Sequence, residues 1–168
     1  MGTNQGKVSK FKEIMGCYPT GVTVITTFDN ENKPVGMTVN SFSSVSIDPL
    51  LILWSIRKNA TEFDTYIKAK KFAVNILDGS NTKACKVFAS KDKDERFEQI
   101  DWRVSNYGLP LLNEVYGIME CKTIQQIDAG DHIIIVGQVT ELEKLSDTPM
   151  LYYKREMGHI PSNWVKNA

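Results

Sequence analysis

Apolar residues in this chain recur mostly with the two-residue period of strands, and only short stretches keep a helical period. Residues 10–16 read as a short amphipathic helix after a polar start, 1–9, expected to be a disordered tail. The turn residues Tyr18, Pro19, Thr20 and Gly21 close it, and 22–28 is an apolar, β-branched strand. A polar turn at 29–33 leads to a further strand at Val35. From Gly36 to Ser46, Thr38, Asn40, Ser41, Ser43, Ser44 and Ser46 interleave with Val39, Phe42 and Val45, which predicts one strand with a wet and a buried face. The apolar run 50–54 continues through Ser55 and Ile56 into Arg57 and Lys58, and then into a helix over about 60–70 with Asn59 as N-cap and Thr61 in its first turn. Residues 72–77 predict a buried strand, 81–89 a helix and 90–95 a charged, exposed loop. Two long strands, 116–127 and 132–142, flank Asp128, Ala129, Gly130 and Asp131, a hairpin signal. Many strands and few helices predict an antiparallel barrel in a single domain, 1–168.

The crowding of hydroxyls at 38–46 adds chemistry to this pattern. Short donors and acceptors let a backbone come close to a flat, heteroatom-rich ring, whereas a solvated face more often carries charge. A Ser/Thr-rich edge strand explains the same segment equally well. The end of the next strand changes the balance. Two cations running into a capped helix make a site for a phosphate, so the two segments together suit a ligand with a hydrogen-bonding ring and a phosphate tail.

Composition excludes several alternatives. Lys and Arg total 20 and so do Asp and Glu, without a long basic run, so nucleic acid and anionic membrane surfaces are poor partners. No apolar run approaches the about 20 residues of a bilayer span, and the polar start is no signal peptide; a cytoplasmic protein is expected. Cys17, Cys85 and Cys121 are widely spaced without a CxxC and are expected to be free, buried thiols. His132 and His159 are the 2 histidines, too few for a His-built metal centre. GxSxG, the P-loop pattern and any G-x-G pair are absent, so a nicotinamide nucleotide would have to be held without a Rossmann fingerprint.

Several segments taken in order resemble the short-chain flavin reductases, the reductase components of two-component flavin monooxygenases. The resemblance runs from Phe11 to Gly158. It is carried by FKEIMGCYPTGVTVITT at 11–27, GMTVNSFSSVSIDPLLILWSIRKNAT at 36–61, and Glu95, Arg96 and Phe97. Trp102, the run Gly108, Leu109, Pro110, then Glu120 and Cys121, AGDHIIIVGQV at 129–139, and Tyr152 and Tyr153 complete it. It implies the mainly β, flavin-mononucleotide-binding split barrel, a homodimer, and transfer of a hydride from NADH or NADPH to FMN or FAD. The reduced flavin would then serve an oxygenase or another electron acceptor.

By this resemblance, Thr38, Val39, Asn40, Ser41, Ser43 and Ser44 hold the isoalloxazine edge. Ser55, Ile56, Arg57, Lys58, Asn59 and Thr61 hold the ribityl phosphate, and Phe97 lies at the cofactor. His132, by itself a solvated hairpin residue, becomes the residue that positions the nicotinamide, because the family's GDH motif falls at Gly130, Asp131 and His132. The stretch LYYKREMGHI lacks the second aromatic that many members carry after the Arg. Two rivals share the hydroxyl wall: a flavin-binding electron carrier without nicotinamide activity, and a pyridoxamine-phosphate-oxidase-like enzyme. The GDH hairpin favours the reductase.

Overall fold

A computed structural model gives the fold of residues 4–90 and 95–164. Helix α1 (Asn4–Gly16) precedes the two-residue strand β1 (Thr20–Gly21), and β2 (Thr23–Phe28) and β3 (Pro34–Val39) form a hairpin. Asp29 shapes its turn, Oδ1 accepting from the amides of Glu31 and Lys33 at 2.8 and 2.9 Å. There follow β4 (Ser43–Ile47), β5 (Leu50–Arg57), α2 (Phe63–Lys68), β6 (Lys71–Leu77) and α3 (Thr82–Ala89). Asn81 caps α3, its side chain accepting from the Ala84 amide. The remaining elements are β7 (Trp102–Val104), β8 (Pro110–Leu112), β9 (Val115–Ala129), β10 (His132–Lys144), β11 (Leu151–Tyr153) and β12 (Glu156–Gly158).

Seven strands make one antiparallel sheet in the order β3-β2-β6-β9-β10-β5-β4. In a flat sheet β2 and β5, four places apart, would be separated by roughly 19 Å. Instead Ile25 of β2 shares one buried cluster with Ile52, Trp54 and Ile56 of β5, so the sheet curls into a barrel left open between β3 and β4. Tyr66 of α2 joins that interior edge-on to Trp54, ring centroids 5.2 Å apart, and its hydroxyl donates to the Ile25 carbonyl at 2.7 Å. Burial, and then the nearby Glu62 carboxylate, push the Tyr66 phenol well above its usual range. This is the mainly β split barrel that the resemblance implies.

A second buried cluster lies on the outer face, where Val22, Val24 and Ala73 meet Ala84, Cys85 and Phe88 of α3 and Leu109, Leu111 and Leu112 around β8. With both faces covered, β2 is buried over five of its six positions, which explains its unbroken apolar and Thr sequence. The β7–β8 strap is bolted down by polar groups. Asn75 Nδ2 donates to the Val24 carbonyl and Thr26 Oγ1, both at 3.0 Å, while its Oδ1 accepts from the Leu112 amide at 2.9 Å. Thr26 Oγ1 in turn donates to the Pro110 carbonyl. Fully satisfied networks of this kind specify one arrangement of a core.

The structure corrects several expectations. Residues 4–9 belong to α1 rather than to a disordered tail, and no residue of that helix is buried. The alternating segment is two strands: the chain leaves β3 at one edge of the sheet and enters β4 at the other, with a corner at Asn40, Ser41 and Phe42. The helix expected from about residue 60 spans only Phe63–Lys68. Its N-cap is Glu62, without a side-chain cap, and Asn59 sits in the preceding turn. Cys85 and Cys121 are buried as expected, whereas Cys17 is exposed. Most of the loop placed at 90–95 lies outside the described residues.

Candidate functional site

The curl brings two segments of the expected site together. Ser41 stands at the corner between β3 and β4, and its hydroxyl is fully engaged: Oγ accepts from the Ser55 amide and donates to the Ser55 carbonyl, each at 3.0 Å. A single side chain thus imitates the next strand along β5 just where β4 stops pairing, since the β4 register ends at Ser43 opposite Leu53. The 38–44 wall and the 55–61 segment are thereby clipped to each other. Other hydroxyls of the wall are also spoken for: Thr38 Oγ1 donates to the Cys85 carbonyl at 3.0 Å and Ser43 Oγ to the Ser44 carbonyl at 3.2 Å. Val39 pairs with Thr23 inside the sheet, and Asn40 and Ser44 face solvent.

Antiparallel pairing of β5 with β10 then carries His132 to Arg57 and Ile134 to Ser55. The hairpin turn lies directly against the end of β5. Lys58 donates its amide to the Asp131 carbonyl at 3.0 Å, and its ammonium grips both Asp128 oxygens at 3.0 and 2.8 Å. The Arg57 guanidinium stands 3.7 Å from Asp131 Oδ2, and Asp131 Oδ1 is 2.7 Å from His132 Nδ1. The hydrogen bond from His132, then Arg57, hold the Asp131 carboxyl below its ordinary range. Ile56 points inward and is buried, so its contribution to a ligand there would come from backbone. A turn at Lys58 and Asn59, rather than a capped helix, follows β5. Ala60 and Phe63 donate to the Arg57 and Ala60 carbonyls, and among the described residues the Asn59 and Thr61 amides make no backbone hydrogen bond.

Thr61 and Phe97 line a common cavity of about 500 Å³ with Glu62, Arg96 and Trp102. Arg96 is buried there, donating to the Gly36 carbonyl at 2.7 Å and pairing with Glu62 at 3.1 Å. Phe97 packs edge-on between Phe88 and Trp102, at 5.0 and 5.3 Å. Gly36 makes room for it: a Cβ there would stand 2.5 Å from the Phe88 ring and 3.2 Å from Phe97. Met157 lies with its sulfur 2.9 Å from Cys85 Sγ. A larger groove of about 800 Å³, between Arg103, Tyr107, Glu120 and Glu141, contains none of the expected site residues. Asp128 and Asp131 were not singled out as partners of Lys58 and Arg57; the pairs are 70 and 74 positions apart in sequence, and only the strand register joins them.

Comparison with known proteins agrees with this geometry. The profile of the family described as flavin reductase like domain matches residues 15–161. A Pseudomonas putida flavin reductase is 38% identical over 149 residues, covering 88% of this chain and 87% of that one. The reductase component of the flavin-dependent trigonelline monooxygenase of Acinetobacter baylyi is 38% identical over 148 residues, covering 88% of this chain but 47% of its own length, so the chain spans about half of that relative. Among solved structures, the NADH:FAD oxidoreductase of Streptomyces globisporus, in complex with NAD and FAD fragments, superposes with a TM-score of 0.88 at 28% identity, covering 97% of this chain and 98% of that one. With its curled sheet, its clipped wall and these matches along nearly its whole length, the chain belongs to the flavin reductase family.

Proposed function

We propose that this chain is an NAD(P)H:flavin oxidoreductase that supplies reduced FMN or FAD to an oxygenase or another electron acceptor. The observation that carries the reading is the convergence, at one end of the β5–β10 pair, of the clipped wall, Arg57 and Lys58, and His132. The donor set fits a flavin nucleotide. Asn40, Ser44 and the backbone of 38–44 would hold the polar edge of the ring, while Arg57, Lys58 and the amides of Asn59 and Thr61 would hold the phosphate. Acceptance and release of a hydride are the flavin's own chemistry. The residues would supply proximity and orientation: the wall would hold the flavin, and His132 would hold the nicotinamide nucleotide beside it. Phe97, packed between Phe88 and Trp102 beside Gly36, would support the wall from the core.

A homodimer suits the apolar surface that α1 leaves uncovered, and free cysteines suit the reducing cytoplasm. Among the described residues no helix is long and apolar enough to cross a membrane. The test is an anaerobic titration of the flavin-loaded protein with NADH and with NADPH. Bleaching of the flavin band by either supports the reading; no bleaching by either refutes it, and bleaching by an added amine instead would favour an oxidase.

A further inference from the structure

Asp131 sits between two groups of the proposed site. One carboxylate oxygen is 2.7 Å from His132 Nδ1, the other 3.7 Å from the Arg57 guanidinium. A carboxylate only accepts, so at that separation the proton of a neutral imidazole belongs on Nδ1 and Nε2 is left with its lone pair. The surroundings hold this arrangement in place. The strand register sets His132 opposite Arg57 on one side and Ala129 on the other, and the Lys58–Asp128 pair braces the turn across its open end. Lys58 also holds the Asp131 backbone carbonyl, which fixes where the carboxylate begins. Asp131 itself is 74% exposed, so it fills no core and the fold does not need its side chain for packing.

We propose that Asp131 is a positioning residue that locks the His132 imidazole with its proton on Nδ1, presenting the Nε2 lone pair to an N–H donor of the nicotinamide nucleotide. The proposal rests on the reading of His132 as the nicotinamide-positioning residue. It makes the site selective for a nucleotide that carries an amide or amine N–H at this point. Either the carboxamide or the adenine amine has that chemistry.

Two measurements test it separately from the reading beneath it. In protein labelled with ¹⁵N-histidine, NMR of the neutral state should show His132 protonated at Nδ1. Asp131→Ala should lose that preference and Asp131→Asn, whose amide oxygen can still accept, should keep it. A wild-type His132 protonated at Nε2, or one indifferent to Asp131→Ala, overturns the proposal. In kinetics, Asp131→Ala should raise KM for the reduced nucleotide about tenfold, the worth of one hydrogen bond. Flavin affinity should not weaken, since removing Asp131 only frees Arg57 for the phosphate, and Asp131→Asn should recover most of the loss in KM. The donor is identified by analogues: wild type and Asp131→Ala should converge on reduced acetylpyridine adenine dinucleotide if the carboxamide donates, or on reduced nicotinamide hypoxanthine dinucleotide if the adenine amine does. Convergence on neither overturns the proposal, as does a normal KM in Asp131→Ala beside a raised one in His132→Ala. A normal KM in both variants overturns the nicotinamide role of His132 itself.

Discussion

Lys58 is the residue on which charge and geometry compete most openly. Its ammonium is already bound to Asp128, so a flavin phosphate arriving there must displace a carboxylate. Exposed pairs of this kind are worth about 0.2–1 kcal/mol, so Asp128→Ala should tighten flavin binding by about 1.4- to fivefold at low salt. Lys58→Glu should weaken it more than Lys58→Ala does. Fluorescence titrations showing the same dissociation constant in all three variants would place the phosphate elsewhere. Asp78 is a residue of the other kind, set for stability. Partial burial would raise its carboxyl, but hydrogen bonds from Ser146, Ser80 and Thr148 outweigh that and lower it from 3.8 to about 2. Because the folded value is the depressed one, the stabilisation is complete above the unfolded value and is lost as pH falls from about 4 to about 2. After solvent screening it is worth about 1 kcal/mol. Asp78→Asn should therefore cost that much at pH 7 and nothing near pH 2. Urea unfolding curves at the two pH values that differ from wild type by equal amounts would refute this account.

At the scale of elements, the strap and the β9–β10 hairpin owe their order to different causes. The hairpin is local: Gly130 takes the left-handed φ of 68° that the turn requires, and the DAGD sequence announces it. The strap carries two short strands and depends on Asn75, a buried residue of β6 that lies 37 positions before the Leu112 it binds. Removing that amide leaves the Leu112 N–H and the Val24 carbonyl without their partner in a dry interior. Asn75→Ala should cost about 3 kcal/mol, or roughly 6–12 °C in Tm for a chain of this size. Calorimetry showing a loss under about 1 kcal/mol would mean that water replaces the amide. The short α2 shows an element losing to its surroundings. Its sequence from Ala60 has no helix breaker, yet Glu62 is drawn into the buried pair with Arg96 and Tyr66 into the barrel, so the first expected turn is spent on the connection.

For the whole molecule, α1 sets the open question of assembly. Phe11 is 66% and Ile14 63% exposed, on a helix with no buried residue, and an isolated helix of 13 residues is marginal in water. If a second copy covers it, light scattering should give twice the chain mass, and a Phe11→Glu, Ile14→Glu double variant should halve it. A monomeric wild type would refute the homodimer. Much of the molecule was legible beforehand, because strand alternation, the helix at 81–89 and the Asp29 and Asp128–Asp131 turns are matters of neighbouring residues, and a run of motifs in order identified the family. Which groups each hydroxyl and charge touches is decided only by tertiary structure. Ser41, expected at the ring, clips Ser55, and Lys58, expected beside a helix cap, pairs with Asp128 across the hairpin. Such contacts depend on how far the sheet curls and on the β5–β10 register, and closing those loops is decided by the whole core rather than by the residues that meet.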